Sequence, residues 1–136
     1  MKETDAGILI DTDVAIDYLR GREYAGQFLH TLWDQEKAHL SILSVYELLA
    51  GMRRGEEEAT RSFIEVCYVE NLDFGIVAKA GTVYRKYRRQ GITLMLLDCL
   101  IMATAAVRGL KLATRNIKHY PEKHILLWKE PSEIPG

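Results

Sequence analysis

The chain has 136 residues, of which 48% are hydrophobic and 27% are charged, and its formal net charge is −1. This composition is typical of one globular domain and excludes the disordered, disulfide-rich and polybasic classes. No apolar run reaches the roughly 20 residues that cross a bilayer, and residues 1–5 are acidic where a signal peptide is basic, so we expect a cytoplasmic protein without membrane contact.

Short apolar runs typical of strands alternate along the chain with segments of helical period. The strand candidates are residues 8–10, 39–43, 66–69, 110–113 and 125–128. Between them lie helical segments at 24–33, 76–87 and 97–105, and Glu47 is expected to open a further helix after the second strand. Strands separated by helices imply parallel pairing with right-handed crossovers. The pattern predicts a single-domain, three-layer α/β/α fold with a central, mostly parallel five-stranded sheet. It covers residues 1–128, and the Pro-containing tail 129–136 is expected to be loose.

Carboxylates follow the predicted strands at the points where each strand ends. Asp11 and Asp13 come directly after the first strand, Glu47 follows the second, and Asp98 begins the alanine-rich helix. The polar run Thr114–Asn116 follows the fourth strand. Ligand sites in parallel α/β sheets form beyond the carboxyl ends of the strands, so we expect these side chains to gather at one edge.

Gathered carboxylates repel one another unless a positive charge lies among them. Mg²⁺ prefers oxygen ligands and keeps several of its waters, so it suits such a cluster. A bound divalent cation polarises a phosphoryl oxygen and lowers the pKa of water. The residues therefore predict metal-assisted hydrolysis of a phosphodiester.

Each of these acids also has a structural explanation, which the sequence leaves open. Asp11 or Asp13 can cap the first helix, and Asp98 can complement a helix dipole. Ser44 and Glu47 together form an S-x-x-E capping box, which predicts a helix start at Ser44. Asp17 is expected to be an exposed helix residue.

Four motifs in this order resemble those of the PIN-domain family, and the resemblance covers about residues 8–128. They are Ile8–Thr12 with Asp17–Leu19, Ser44–Gly51, Leu97–Ala105 and Ala113–Tyr120. The size of the chain and its Glu-Leu-Leu-Ala-Gly stretch are most similar to VapC-type toxins. The resemblance implies a ribonuclease that depends on Mg²⁺ or Mn²⁺. It also implies a homodimer that is silenced by a cognate antitoxin.

Transferred position by position, the resemblance assigns the acidic metal-site positions to Asp11, Glu47 and Asp98. Family members often carry a further acid where this chain has Asn116 or His119. Asn116 offers a carbonyl oxygen without charge, so a second tightly held ion is in doubt.

Hydroxyl positions that commonly support the site fall on Thr12 and Thr114, and Asp13 is expected to support it as well. In the resulting hypothesis, Asp11 and Asp98 hold the ion, and Glu47 reaches it directly or through water. Asn116 orients the water that attacks phosphorus, leaving a 5′-phosphate and a 3′-hydroxyl.

The near-neutral total conceals an uneven distribution of charge. Residues 1–78 carry 7 Lys and Arg against 15 Asp and Glu, whereas residues 79–118 carry 9 against the single acid Asp98. Cations supply most non-specific affinity for nucleic acids. Arg115 and Lys118 flank Asn116 and are the predicted contacts to the RNA substrate.

Two other classes of function remain open from the sequence. The missing fourth acid also fits a catalytically impaired PIN-like module that binds RNA or assembles with partners. Less strongly, the run Asp11–Val14 resembles the motif of haloacid-dehalogenase-like phosphatases. There Asp11 would take the phosphoryl group and Asp13 would act as general acid.

Overall fold

A sheet of four short parallel strands lies at the centre of this computed structural model, which describes residues 6–136. The acidic residues 1–5 lie outside that range. The strands are β1 (Ile8–Ile10), β2 (Ala38–Ser41), β3 (Tyr68–Glu70) and β4 (Lys111–Ala113). Their order across the sheet is β3-β2-β1-β4, and every pair is parallel. Parallel neighbours require crossover connections, which the helices supply.

The α-helices of the described residues follow the predicted alternation. They are α1 (Thr12–Leu19), α2 (Glu23–Asp34), α3 (Ile42–Gly51), α4 (Glu57–Glu65), α5 (Phe74–Arg89) and α6 (Leu96–Arg108). Asp73 caps α5 by accepting a hydrogen bond from the Ile76 N–H. Gly109 ends α6 with a φ of 67°, a left-handed conformation that glycine adopts without a steric penalty.

Two apolar clusters lie on opposite faces of the sheet, as the side-chain alternation along β1 requires. Leu9 packs into the cluster formed with α5 and α6. Ile8 and Ile10 pack into the cluster formed with α1 to α4. Ala103 and Ala105 of α6 are fully buried, which lets that helix pack closely. The predicted three-layer α/β/α arrangement is confirmed.

The predicted fifth strand at residues 125–128 is wrong. A 3₁₀ turn covers Lys123–Ile125, and Leu126 makes only an isolated parallel bridge to Leu112. The run is apolar because it is buried from both sides: Leu126 packs into the α5–α6 cluster and Trp128 into the other. Burial alone therefore produced the strand-like pattern.

The predicted boundary between β2 and α3 is also wrong. The strand ends at Ser41, whose hydroxyl accepts a hydrogen bond from the Leu43 N–H at 3.0 Å and so caps α3. The helix therefore begins at Ile42 rather than at Ser44, and the capping-box explanation of Glu47 fails. The third strand likewise begins two residues later than predicted, at Tyr68, because Val66 still forms the end of α4.

Both cysteines are free and buried, as expected for apolar thiols. Within residues 6–136, no helix combines the length and the apolar character that crossing a membrane requires. The tail contains a 3₁₀ turn at Pro131–Glu133, and the Lys129 N–H donates to the Glu133 carboxylate at 2.6 Å. Its looseness in solution, like the domain boundary at residue 128, stays a prediction.

Candidate active site

Asp11 and Thr114 lie side by side because β1 and β4 are neighbouring parallel strands. Ile10 pairs with Ala113, and the Asp11 N–H donates to the Ala113 carbonyl at 3.0 Å. The residue after each strand is therefore held at the same edge of the sheet. The Thr114 hydroxyl donates to Asp11 Oδ2 at 2.8 Å, and both side chains are buried. Asp11 is also the N-cap residue of α1, as the capping explanation predicts.

Asp98 reaches the same place from the first turn of α6. The hydroxyl of Tyr120 lies 2.9 Å from Asp11 Oδ2 and 3.5 Å from Asp98 Oδ1, so one oxygen faces both carboxylates. Tyr120 was not among the predicted site residues. Its only signal in the sequence is its place at the end of the fourth motif, and its contact with Asp11 spans 109 positions.

Glu47 joins the site through a hydroxyl of the first helix. The Thr12 hydroxyl donates to Glu47 Oε1 at 2.8 Å and lies 3.0 Å from the Ser44 hydroxyl. Glu47 is in the middle of α3 and exposed, so no capping role accounts for it. Thr12 thus links the carboxylate on α3 to the loop that carries Asp11.

Asp13 holds the loop after β4 in place. Its Oδ1 accepts from the Val14 N–H at 2.8 Å, and its Oδ2 accepts from the Arg115 N–H at 2.9 Å. Burial, reinforced by the charge of Asp11, raises the pKa of Asp13 to about 6. Because both oxygens are bound to backbone N–H groups, Asp13 acts as a support and is poorly placed to transfer a proton.

Asp17 is buried, with 7% of its surface exposed, so the prediction of an exposed helix residue is wrong. Arg115 Nε lies 2.6 Å from Asp17 Oδ2, and the Tyr24 hydroxyl donates to the same oxygen. A buried carboxylate requires such partners. Arg115 is therefore held in an ion pair with Asp17, although 41% of its side chain is exposed to solvent.

The remaining predicted residues lie on the loop after β4. The Asn116 N–H donates to the Thr114 hydroxyl at 3.0 Å, which places exposed Asn116 beside the buried pair. Lys118 is exposed on the following 3₁₀ turn. His119 Nδ1 lies 4.0 Å from Asp98 Oδ2, so His119 is a neighbour of Asp98.

The site concentrates negative charge. Burial raises the pKa of Asp98, and the charges of Asp11 and Glu47 raise it further, whereas His119 and the Tyr120 hydrogen bond oppose the rise. Burial and the charges of Asp11, Asp98 and Asp13 raise the pKa of Tyr120, which keeps its phenol protonated. This electrostatic field favours a positive ion.

The donor chemistry fits a magnesium-like ion that keeps part of its water shell. Within residues 6–136, no three His, Cys, Asp or Glu side chains come together as a set that could hold a metal ion. Two carboxylates, Asp11 and Asp98, do share one hydroxyl neighbour. Mg²⁺ is usually bound in proteins through one or two carboxylates together with waters and substrate phosphates, and the Asp11–Asp98 pair matches the carboxylate part of that set.

The chain is similar to known proteins over most of its length. The model of the PIN domain matches residues 8–120. Ribonuclease VapC10 of Mycobacterium tuberculosis is 36% identical over 129 residues, which cover 95% of this chain and 96% of that protein. Ribonuclease VapC19 of the same species is 36% identical over 83% of this chain and 91% of that protein. A chain of a toxin–antitoxin complex from Klebsiella pneumoniae superposes with a TM-score of 0.76 at 26% identity, covering 91% of this chain and 98% of that one.

Proposed function

The chain belongs to the PIN-domain family, as a VapC-type ribonuclease toxin of a toxin–antitoxin system, and we propose that it hydrolyses RNA at the Asp11–Asp98 pair. The observation that carries the assignment of the site is the single hydroxyl, that of Tyr120, which lies within 3.5 Å of both carboxylates. Family membership removes the phosphatase alternative. That reaction would also need Asp13 as a general acid, and its hydrogen bonds to backbone N–H groups place it poorly for that role.

In the proposed site, Asp11 and Asp98 would hold Mg²⁺ or Mn²⁺, with Glu47 assisting directly or through water. Thr12 fixes Glu47, and the rest of the supporting scaffold is formed by Thr114 and Asp13. When bound, the cation supplies Lewis-acid polarisation of the phosphodiester and lowers the pKa of water.

Asn116 is proposed to orient the attacking water with its side-chain oxygen. Its backbone is held by Thr114, which is itself bound to Asp11. The backbone at Asn116 is therefore held beside the carboxylates, and positioning is a large part of what a hydrolytic site contributes.

The ends of the products test this chemistry. Attack by water that expels the 3′ oxygen leaves a 5′-phosphate and a 3′-hydroxyl, whereas attack by the ribose 2′-hydroxyl expels the 5′ oxygen and leaves a 2′,3′-cyclic phosphate. We expect 5′-phosphate ends from structured RNAs incubated with Mg²⁺ or Mn²⁺, and no cleavage with EDTA. Cyclic phosphate ends, or cleavage that persists in EDTA, would contradict the proposal.

Lys118 and Arg115 are proposed to contact the RNA backbone in different ways. Lys118 is exposed, whereas Arg115 is paired with Asp17 and offers only part of its guanidinium. Charge reversal at Lys118 is expected to weaken RNA binding and flatten its salt dependence. Charge reversal at Arg115 is also expected to leave the buried carboxylate of Asp17 without its ion-pair partner, which lowers the stability of the fold. Unchanged RNA affinity in both variants would show that neither Lys118 nor Arg115 contacts the RNA.

A cognate antitoxin is the proposed protein partner, since the similar chain from Klebsiella pneumoniae comes from a toxin–antitoxin complex. A homodimer is proposed on the family resemblance, and the cytoplasm is the proposed compartment because RNA is the substrate. Light scattering of the purified chain should give twice the mass of one chain. Co-expression with the product of a small neighbouring reading frame should yield a complex without RNase activity. A monomer, or a complex that still cleaves, would contradict these assignments.

A further inference from the structure

Tyr120 combines a fixed ring with a hydroxyl at the centre of the site. Only 2% of the residue is exposed, and its ring packs in the α5–α6 cluster. The flanking segment is anchored on both sides: the Lys123 ammonium donates to the Ile117 carbonyl at 2.8 Å, and the Tyr87 hydroxyl donates to Glu122 Oε2 at 2.6 Å. The ring is therefore held in place, and only its hydroxyl proton is free to reorient.

The hydroxyl occupies the side of Asp11 that faces Asp98. Asp11 Oδ2 accepts from Thr114 at 2.8 Å and from Tyr120 at 2.9 Å. A carboxylate oxygen has about two lone-pair positions, so these two donors saturate Oδ2. The other oxygen, Oδ1, accepts from the Thr12 N–H at 2.9 Å. An ion held between Asp11 and Asp98 would compete with Tyr120 for Oδ2.

We propose that the Tyr120 hydroxyl is a placeholder for the divalent cation: its hydrogen bond and the ion would compete for Asp11 Oδ2, and its proton would turn away to leave that oxygen to the ion. Tyr120 is in this sense a positioning residue rather than a catalytic one. The inference rests on the proposed function, because it requires that Asp11 and Asp98 hold a cation.

A phenol has a single proton, so the Tyr120 hydroxyl binds the two carboxylates more weakly than a divalent cation would. The 2.9 Å contact to Asp11 is within the usual range for an O–H···O bond, whereas the 3.5 Å contact to Asp98 is beyond it. Tyr120 therefore satisfies one carboxylate well and the other poorly. A divalent cation would neutralise both carboxylates, at the expense of the one charge-assisted hydrogen bond from Tyr120 to Asp11.

Removal of the hydroxyl is expected to strengthen ion binding while it weakens the ion-free protein. Tyr120→Phe keeps the buried ring and deletes the competing donor. Isothermal titration with Mn²⁺ should give about tenfold tighter binding, the value of one hydrogen bond to a charged group. The Tm of Tyr120→Phe in EDTA should be lower than that of the wild type, and its gain on adding Mn²⁺ should be larger.

Tyr87→Phe is the matched control, because it also removes a buried tyrosine hydroxyl that donates to a carboxylate. It should lower the Tm without changing Mn²⁺ affinity. A tyrosine difference spectrum of the wild type during Mn²⁺ titration gives a second readout that does not depend on how a variant folds. We expect a change in the wild type and in Tyr87→Phe that is absent from Tyr120→Phe.

The outcomes separate this inference from the proposed function. If the wild type binds no Mn²⁺, the metal site itself fails and the inference fails with it. If the wild type binds Mn²⁺ and Tyr120→Phe binds it equally or more weakly, only the placeholder role is overturned. Equal tightening in Tyr87→Phe, or a wild-type spectrum that Mn²⁺ leaves unchanged, would also overturn it.

Discussion

Replacing Thr114 with valine is expected to destabilise the ion-free protein by about 2–4 kcal/mol. Valine has nearly the shape of threonine, so the change removes a hydroxyl with little loss of packing. That hydroxyl is fully buried, donates to Asp11 Oδ2 at 2.8 Å and accepts from the Asn116 N–H at 3.0 Å.

The magnitude follows from the two hydrogen bonds that are lost. A hydrogen bond to a charged group contributes about 1.5–3 kcal/mol, and a polar group left unsatisfied in the interior costs about 1–3 kcal/mol. Asn116 is exposed, so water can replace part of its lost bond. For a domain of this size, the expected loss lowers the Tm by about 8–15 °C.

Urea unfolding in EDTA, followed by circular dichroism, measures this loss. Thr114→Ser is the matched control, because it keeps the hydroxyl and removes only a methyl group, at a cost of about 1 kcal/mol. The reasoning is refuted if Thr114→Val stays within about 0.5 kcal/mol of the wild type, which is the scatter of a neutral surface substitution. It is also refuted if Thr114→Ser is destabilised as much as Thr114→Val.

Three further predictions concern groups away from the cation pair. Burial raises the pKa of Cys67 to about 11, so iodoacetamide at pH 8 should label it only after unfolding, and rapid native labelling would contradict its burial. Although burial opposes the shift, the Tyr87 hydrogen bond and the Lys86 charge hold the pKa of Glu122 below 4.5. Its charge therefore stabilises the fold above that pH, and the stabilisation is lost as the pH falls through the folded-state pKa. Glu122→Gln should reduce the loss of unfolding free energy at acid pH. An unchanged pH dependence would show that the contacts of Glu122 with Tyr87 and Lys86 contribute nothing to stability. Gly109→Ala should lower the free energy of unfolding in urea by about 1–2 kcal/mol, because alanine is strained at the positive φ of this position. An unchanged free energy of unfolding would refute this reasoning.

The parts of the site that follow β1 and β4 could be predicted from the sequence. Asp11 and Thr114 come directly after short apolar runs, and neighbouring parallel strands bring the residues that follow them together. Asp98 was predictable for a related reason, because a charge that interrupts an apolar helix requires a partner.

The start of α3 could not be predicted because two serines compete for the same role. Both Ser41 and Ser44 precede helical residues, and the S-x-x-E spacing favours Ser44. The choice is made by the length of β2, which ends where Ser41 pairs with Glu70 of β3. That pairing is a tertiary contact, and no local pattern reveals it.

Tyr120 and Asp17 illustrate the same limit within the site. The hydroxyl of Tyr120 reaches Asp11 only because the loop after β4 folds back over the sheet edge. Asp17 is buried because Arg115, 98 positions away, pairs with it. Residue types and spacing predict which groups end at one edge, but they do not predict which of them are paired there.

Cleavage of RNA by Asp98→Asn tests the central assignment most directly. A structured RNA is incubated with Mn²⁺ and equal amounts of the wild type, Asp98→Asn and the control Asp73→Asn, which alters the acid that caps α5. With folding verified by circular dichroism, we expect cleavage by the wild type and by Asp73→Asn and none by Asp98→Asn. Cleavage by Asp98→Asn at the wild-type rate would place the reaction elsewhere on the molecule.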